Sequence, residues 1–366
     1  MPTTLASYFH DLSPIIFTIS GDFAVRWYGV SYVVGFVIAY IVLYKLSKRG
    51  LIMLPAQRVP DAMMVIILGT LLGGRLGYAI LGYDPSLLYT FTSSFPYWNM
   101  LALQKGGMAS HGAMIGLVIA AWIVSRGFKP DRDPQGPREG VCSTFHVMDY
   151  LALTAGFGLF FGRIANFVNG ELLGAIITKP GEKGPWYSVQ FPQELSGWLS
   201  PLARDVKSHT PELSVEQMGK LNELVTSVQR VGQSWTDALH SIIAHPGAYR
   251  AQLEPLLSSR HPSQLYQAIA EGLVLTIFVW IVWARPRKAG VVASCWLMLY
   301  GVLRIVTEIW RLPDAQFTDG RPLGLSRGQW FSAAMVGFGL LVLIWSVKRA
   351  GPRIGGWLGS TAKSES

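Results

Sequence analysis

The chain has 366 residues, of which 50% are hydrophobic and only 14% charged, with a mean hydropathy of +0.33. Water-soluble domains carry about a quarter charged residues, so this balance excludes an ordinary soluble domain and points to lipid. The net charge of +9 does not indicate a nucleic-acid partner, because the basic residues form short blocks between apolar runs, with no basic stripe interleaved with aromatics.

A helix needs about 20 mainly apolar residues to cross the hydrocarbon core. Spans are predicted over residues 25–46, 62–82, 108–126, 145–168, 264–284, 290–310 and 329–347. The expected fold is therefore all-α: a polytopic membrane helix bundle with about seven transmembrane helices. Lys45, Lys48, Arg49, Arg58, Arg126, Lys129, Arg132, Arg138, Arg285, Arg287, Lys288, Lys348, Arg349 and Arg353 fall in connections on one side. Lys105, Arg311, Arg321, Arg327 and the border residue Arg26 fall on the other. This count of 14 against 5 predicts that the N-terminus lies outside and the C-terminus inside. Thirteen tryptophans and fourteen tyrosines suit a chain with two membrane–water interfaces to anchor.

The N-terminus lacks a basic region, carries Asp11 and Asp22, and reads as a retained tail rather than a signal peptide. Cys142 and Cys295 fall near cytoplasmic helix ends, where thiols stay reduced, so no disulfide is expected. No metal-ligand spacing is present, and no cofactor is expected. Glycines four apart (Gly69, Gly73 and Gly77; Gly112 and Gly116; Gly158 and Gly162) suit close helix approach in lipid. Residues 170–263 form a long connection whose middle keeps helical periodicity: Val215, Met218, Leu221, Leu224, Val225 and Val228 share one face. Trp235, Leu239, Ile242 and Ile243 mark a second amphipathic piece. The expectation is a small extracytoplasmic cap, either lying on the membrane surface or a solvated insertion with no part in chemistry.

Ionisable groups inside a membrane cost several kcal/mol each, about 2.5–3.5 on insertion scales, so each needs a partner or a purpose. The candidates are Arg75, His111, Arg163, Glu171, Arg304 and Glu308. The predicted topology gathers them toward the outer side, with Tyr28, Asn166, Asn169, His261 and Gln264 nearby. Tyr300, Arg304, Glu308 and Arg311 stand at helical spacing on one face, as do Arg163 and Asn166. An Arg304–Glu308 pair serves either mutual neutralisation or a ligand. Arg163 has no carboxylate three or four residues away. A lipid phosphate is the natural partner for such arginines, because the guanidinium fork binds phosphate oxygens bidentately. No P-loop, HExxH or GxSxG motif is present, so ATP use, zinc proteolysis and the common lipase arrangement lack support.

The segment GRIANFVNGELLG at 162–174 resembles the signature of the bacterial prolipoprotein diacylglyceryl transferase family. Further blocks agree in order: RWYG at 26–29, GGRLGY at 73–78, GGMASHG at 106–112, HPSQLY at 261–266 and YGVLRIVTEIWRLPDAQ at 300–316. Ala113 and Ala165 depart from the pattern, both with small side chains. The resemblance implies a multi-pass protein of the bacterial cytoplasmic (inner) membrane, working within the lipid bilayer. It implies transfer of the diacylglyceryl group of phosphatidylglycerol to the lipobox cysteine of a prolipoprotein signal peptide, forming a thioether and releasing glycerol phosphate.

By this resemblance the functional positions are Tyr28, His111, Arg163, Asn166, Glu171, Tyr300, Arg304 and Glu308. Arg163 and Arg304 are expected on the phosphate, with Asn166 and Tyr28 as supporting donors and Glu171 and Glu308 orienting arginines. His111 is expected either as general base for the thiol or only as a headgroup ligand. Tyr300, Arg75, His261 and Gln264 complete the expected substrate-binding set. A lipid transporter or scramblase with a phosphate-binding chamber is the alternative reading.

Overall fold

A computed structural model describes residues 7–20, 23–80, 84–93, 96–102, 107–131, 133, 135–198, 213–311 and 326–358. Asp22, Lys105, Gly106, Arg132, Arg321 and residues 312–316, invoked above, lie outside the described residues.

Helices appear where the apolar runs predict them. They are α1 (Trp27–Lys48), α2 (Val59–Ile80), α3 (Ser110–Ser125) and α4 (Thr144–Val168), then α5 (Val215–Val228) and α6 (Trp235–Ala244) in the insertion. α7 (Ser263–Trp283), α8 (Val291–Thr307) and α9 (Arg327–Lys348) follow. Six of these, all but α3 and the two insertion helices, are long and apolar enough to cross a membrane. The protein is thus a mostly helical, polytopic membrane protein. α3 is apolar but has 16 residues, and at about 1.5 Å each it rises some 24 Å, short of the roughly 30 Å core.

The chain divides into two compact units: Val37–Thr154, Phe278–Trp296 and Gly339–Ser366 in one, and Met1–Phe36, Ala155–Ile277 and Leu297–Phe338 in the other. In the former, the glycine spacing does what the sequence suggests. A Cβ on Gly73 would stand 2.5 Å from the Gly112 carbonyl oxygen and 2.8 Å from Gly116 Cα, and one on Gly77 would stand 2.6 Å from Gly112 Cα. The α2 and α3 backbones touch because neither presents a side chain there. The α4 glycines differ from expectation: a Cβ on Gly158 or Gly162 would meet open space, although one on Gly35 of α1 would stand 3.3 Å from Gly158 Cα.

Asp149, buried within α4, accepts hydrogen bonds from the backbone of Gly290 (2.7 Å) and Ala293 (2.8 Å). It thereby caps the first turn of α8 from a neighbouring helix, meeting donors that the helix itself cannot satisfy. Asp149→Ala is expected to cost about 1–3 kcal/mol through the stranded amides, read as a lowered thermal midpoint in detergent, with Asp149→Asn losing less. An unchanged midpoint in the alanine variant would contradict this.

The other unit carries a β-structure that periodicity does not announce. β1 (Tyr8–Phe9), β4 (Ile176–Thr178), β5 (Val189–Gln190) and β6 (Ser259–Arg260) form one sheet in the order β1-β5-β6-β4. The β1–β5 pair is parallel and the others are antiparallel. β2 (Ile15–Ser20) and β3 (Phe23–Arg26) pair as an antiparallel ribbon leading into α1.

Ser214 and Ser234 start α5 and α6 with capping boxes closed by Gln217 and Asp237. Leu221, Leu224 and Val225 of α5 then bury against Leu239 and Ile242 of α6, together with Phe9, Leu195, Leu253, Leu256 and Leu257. The amphipathic faces of the insertion are therefore used in a core of their own and are not free to lie on a membrane surface. Val215, expected on that face, is instead exposed.

Candidate active site

The C-terminal turns of α4 carry Arg163 and Asn166, three residues apart. Arg163 Nη2 donates to Glu271 Oε2 at 3.0 Å. Glu271 lies in α7, in a π-helical stretch from Ala268 to Val274. Such a stretch widens the helix and re-aims its side chains, and it is frequent at functional sites. Beside it, Gly272 lets α4 come close: a Cβ there would stand 2.6 Å from Phe160 Cβ and 2.8 Å from Phe160 Cα. This contact lies one residue from Glu271 and one helical turn from Arg163, so the missing side chain brings acid and base together.

α8 supplies the second arginine. Arg304 Nη1 stands 3.7 Å from Glu271 Oε1, and its Nη2 stands 3.1 Å from Glu308 Oε2. Thr307 donates to Glu271 Oε1 at 2.9 Å. Arg311 Nη1 reaches Glu308 Oε2 at 3.9 Å, and Ser326 donates to Glu308 Oε1 at 3.3 Å. Tyr300, one turn before Arg304, lies within electrostatic range of Glu271, Arg163, Arg304 and Arg311. Among the described residues, Arg163 Nε and Arg304 Nη1 are buried without a hydrogen-bond acceptor. Leaving such donors unmet is costly, and a ligand with several anionic oxygens would satisfy them.

Adjacent to the arginines is a second set. Tyr28, in the first turn of α1, donates to Glu171 Oε2 at 3.1 Å and receives a hydrogen bond from Asn166 Nδ2. Asn166 and Asn169 also reach the Glu171 carboxylate, at 3.5 and 3.4 Å. Glu171, expected to orient an arginine, thus holds Tyr28 and the two asparagines instead. Its loop is fixed from below: Gln264, fully buried, donates to the Glu171 carbonyl at 2.5 Å, and Ser263 donates to that of Leu172 at 3.1 Å. Leu172 has φ of +55°, a left-handed conformation unusual for a branched side chain, so neighbouring contacts must hold it. At Gly174 a Cβ would overlap the His261 carbonyl and stand 3.0 Å from that of Trp310, so this position admits no side chain.

His261 packs among Tyr187 and Tyr266, with Nδ1 3.4 Å from the Tyr266 hydroxyl. Burial lowers its imidazole below the ordinary value. Gln264 and His261 thus brace the loop from Glu171 to Ala175. Arg75 and His111 belong to the other compact unit. Arg75 is buried and donates to the carbonyls of Met100 (3.1 Å), Gly107 (2.8 Å), Asn99 (2.7 Å) and Ala102 (3.3 Å). These bonds give it the work of fixing the loop before α3. His111 is exposed in the first turn of α3. Burial pushes the Cys142 thiol up to about 11, so it stays protonated at neutral pH and is not a thiolate nucleophile.

Glu271 is absent from the residues nominated by sequence, although the same cost argument applies to it. It is a carboxylate inside the apolar run of α7. It also supplies the acidic partner for Arg163 that local helical spacing cannot reveal, because the pair is 108 residues apart.

The model of the prolipoprotein diacylglyceryl transferase family matches residues 14–345. The chain is 38% identical to the phosphatidylglycerol–prolipoprotein diacylglyceryl transferase of Bdellovibrio bacteriovorus, over 95% of this chain and 96% of that protein. It is 34% identical to the protein so named in Ruegeria pomeroyi, over 93% and 96%. The corresponding figures for that of Neisseria gonorrhoeae are 31%, 91% and 95%.

Proposed function

Because the chain belongs to the prolipoprotein diacylglyceryl transferase family, we propose that it transfers the diacylglyceryl group of phosphatidylglycerol to the lipobox cysteine of prolipoproteins. The product is a thioether, and glycerol phosphate leaves. The reaction takes place at the outer side of the bacterial cytoplasmic membrane, with the N-terminus and the cap of residues 170–263 in the periplasm.

One observation carries the site assignment. Two arginines from different helices converge on buried Glu271 and retain donors with no acceptor among the described residues. Arg163 and Arg304 grip the phosphate of the lipid. Asn166 lies at its edge beside Tyr28, whose single O–H is held by Glu171, and Tyr300 and Glu308 support the Arg304 side.

The substrate thiol has an ordinary pKa of about 8.5, so only a few per cent is thiolate at neutral pH. The thiolate attacks the glyceryl carbon that bears the phosphate. A carbon–sulfur bond forms, the carbon–oxygen bond breaks, and its electron pair leaves on the phosphate oxygen. Negative charge grows on that oxygen in the transition state, where fixed guanidinium donors stabilise it more than they stabilise the diester.

The thiol proton needs an acceptor, and on the family resemblance alone we propose His111 for that role. In His111→Asn the acid limb of the pH–rate profile should vanish along with most of the activity. Retained activity with an unchanged profile would leave His111 only a headgroup ligand.

The test of the function is purified protein in vesicles of phosphatidylglycerol with a lipobox peptide. The expected result is a peptide mass gain of one diacylglyceryl group with stoichiometric glycerol phosphate. Lipid redistribution without peptide modification would assign the arginines to lipid movement instead.

A further inference from the structure

Glu271 has no part in the reaction steps above, yet it touches both arginines. Its side chain is 0% exposed, whereas those of Arg163 and Arg304 keep 15% and 13%. The arginine side chains are thus open in part, while the carboxylate between them is closed off. Arg163 and Arg304 come within 3.0 and 3.7 Å of this one acid. Without it, two like charges so close together would repel strongly in a poorly screened interior and swing apart. Thr307, donating to Oε1 at 2.9 Å, fixes the carboxylate in turn. The π-helical turn from Ala268 to Val274 and the close approach at Gly272 fix the backbone that presents it.

The same carboxylate offsets one of the two positive charges. The proposed diester substrate carries one negative charge, whereas the phosphomonoester product carries about −1.5 to −2 at neutral pH. A permanent acid behind the arginines opposes the additional charge and so weakens the grip on product.

We propose that Glu271 is the positioning residue of the phosphate clamp, holding Arg163 and Arg304 on a common point and limiting their charge so that the phosphomonoester product is released. This inference rests on the clamp assigned under the proposed function.

Glu271→Gln keeps the shape of the side chain and an acceptor for Thr307 but removes the charge. In this variant kcat should fall about tenfold or more, while inhibition by added glycerol phosphate tightens about tenfold. Loss of folded protein lowers activity but does not tighten product binding, so the second readout isolates positioning from mere stability. An unchanged inhibition constant, or unchanged kcat, overturns the inference.

Thr307→Val is the second variant, for use if Glu271→Gln does not accumulate. It leaves every charge in place and frees the carboxylate to move. There kcat should fall several-fold with the inhibition constant unchanged, and parental kcat overturns the positioning role. Arg163→Gln and Arg304→Gln separate the two levels: if they turn over normally, the clamp itself is wrong. If they are inactive while Glu271→Gln matches the parent in both readouts, only the role of Glu271 fails.

Discussion

Arg163→Gln and Arg304→Gln are each expected to lower diacylglyceryl transfer by about 10²–10³-fold, the usual loss when one fixed donor to a developing anion is removed. Glutamine retains polarity and part of the length but neither the charge nor the planar fork. The loss should fall mainly on kcat, because the donors matter most when charge builds on the departing oxygen. Each substitution also leaves Glu271 shared by one arginine instead of two, so the surviving guanidinium is drawn back toward the acid. The double variant should therefore be barely worse than either single one, the non-additivity expected of groups that act as a unit. Lysine at either position keeps the charge without the bidentate geometry and should retain an intermediate rate. The measurement is peptide modification in membranes where each variant is present and folded. Near-parental turnover in either glutamine variant would remove that arginine from the phosphate.

Much of this arrangement was legible in the chain. Apolar runs located the six helices that, among the described residues, are long enough to cross, because composition over about 20 residues is what lipid selects; the seventh expected span is the 16-residue α3. Tyr300, Arg304 and Glu308 could be placed on one face from spacing alone, and the structure pairs Arg304 with Glu308 at 3.1 Å. What stayed hidden depends on contacts between distant segments. Glu271 and Arg163 meet through a helix crossing set by Gly272 and a π-helical turn, and neither leaves a periodic trace. The strands of two and three residues in the four-stranded sheet form because tertiary pairing demands them, not because their sequences prefer it. Arg75 shows the opposite limit: a buried arginine in an apolar helix suggests an anionic ligand, but backbone carbonyls meet its needs. Cost alone shows that a buried charge has partners, and only the fold shows which.

The largest effect on stability should come from Glu194→Gln, at about 3–5 kcal/mol. Glu194 and Arg260 are both fully buried at the side chain, with Arg260 Nε 2.5 Å from Glu194 Oε2. The acid also accepts from the Ser258 backbone at 2.6 Å and from the Ser258 hydroxyl. Removing its charge takes from the buried Arg260 guanidinium the carboxylate that stands 2.5 Å from it, and the loss of that compensation dominates the cost. The consequence reaches the site, because Arg260 Nη1 donates to the Gly174 carbonyl at 3.2 Å. Gly174 ends the loop that carries Glu171, and the adjacent Ala175 joins the backbones of His261 and Trp310 at 3.1 and 3.0 Å. Faster proteolysis within residues 170–263 and a lowered thermal midpoint should accompany reduced transfer. Replacing both partners together, Glu194→Leu with Arg260→Met, should recover part of the midpoint, since no charge is then stranded. The recovery in transfer should lag behind, because the bond to the Gly174 carbonyl is still missing. If the single glutamine variant melts like the parent, the ion pair contributes no net stability, and the loop must owe its position to the strand pairing of β4, β5 and β6 alone.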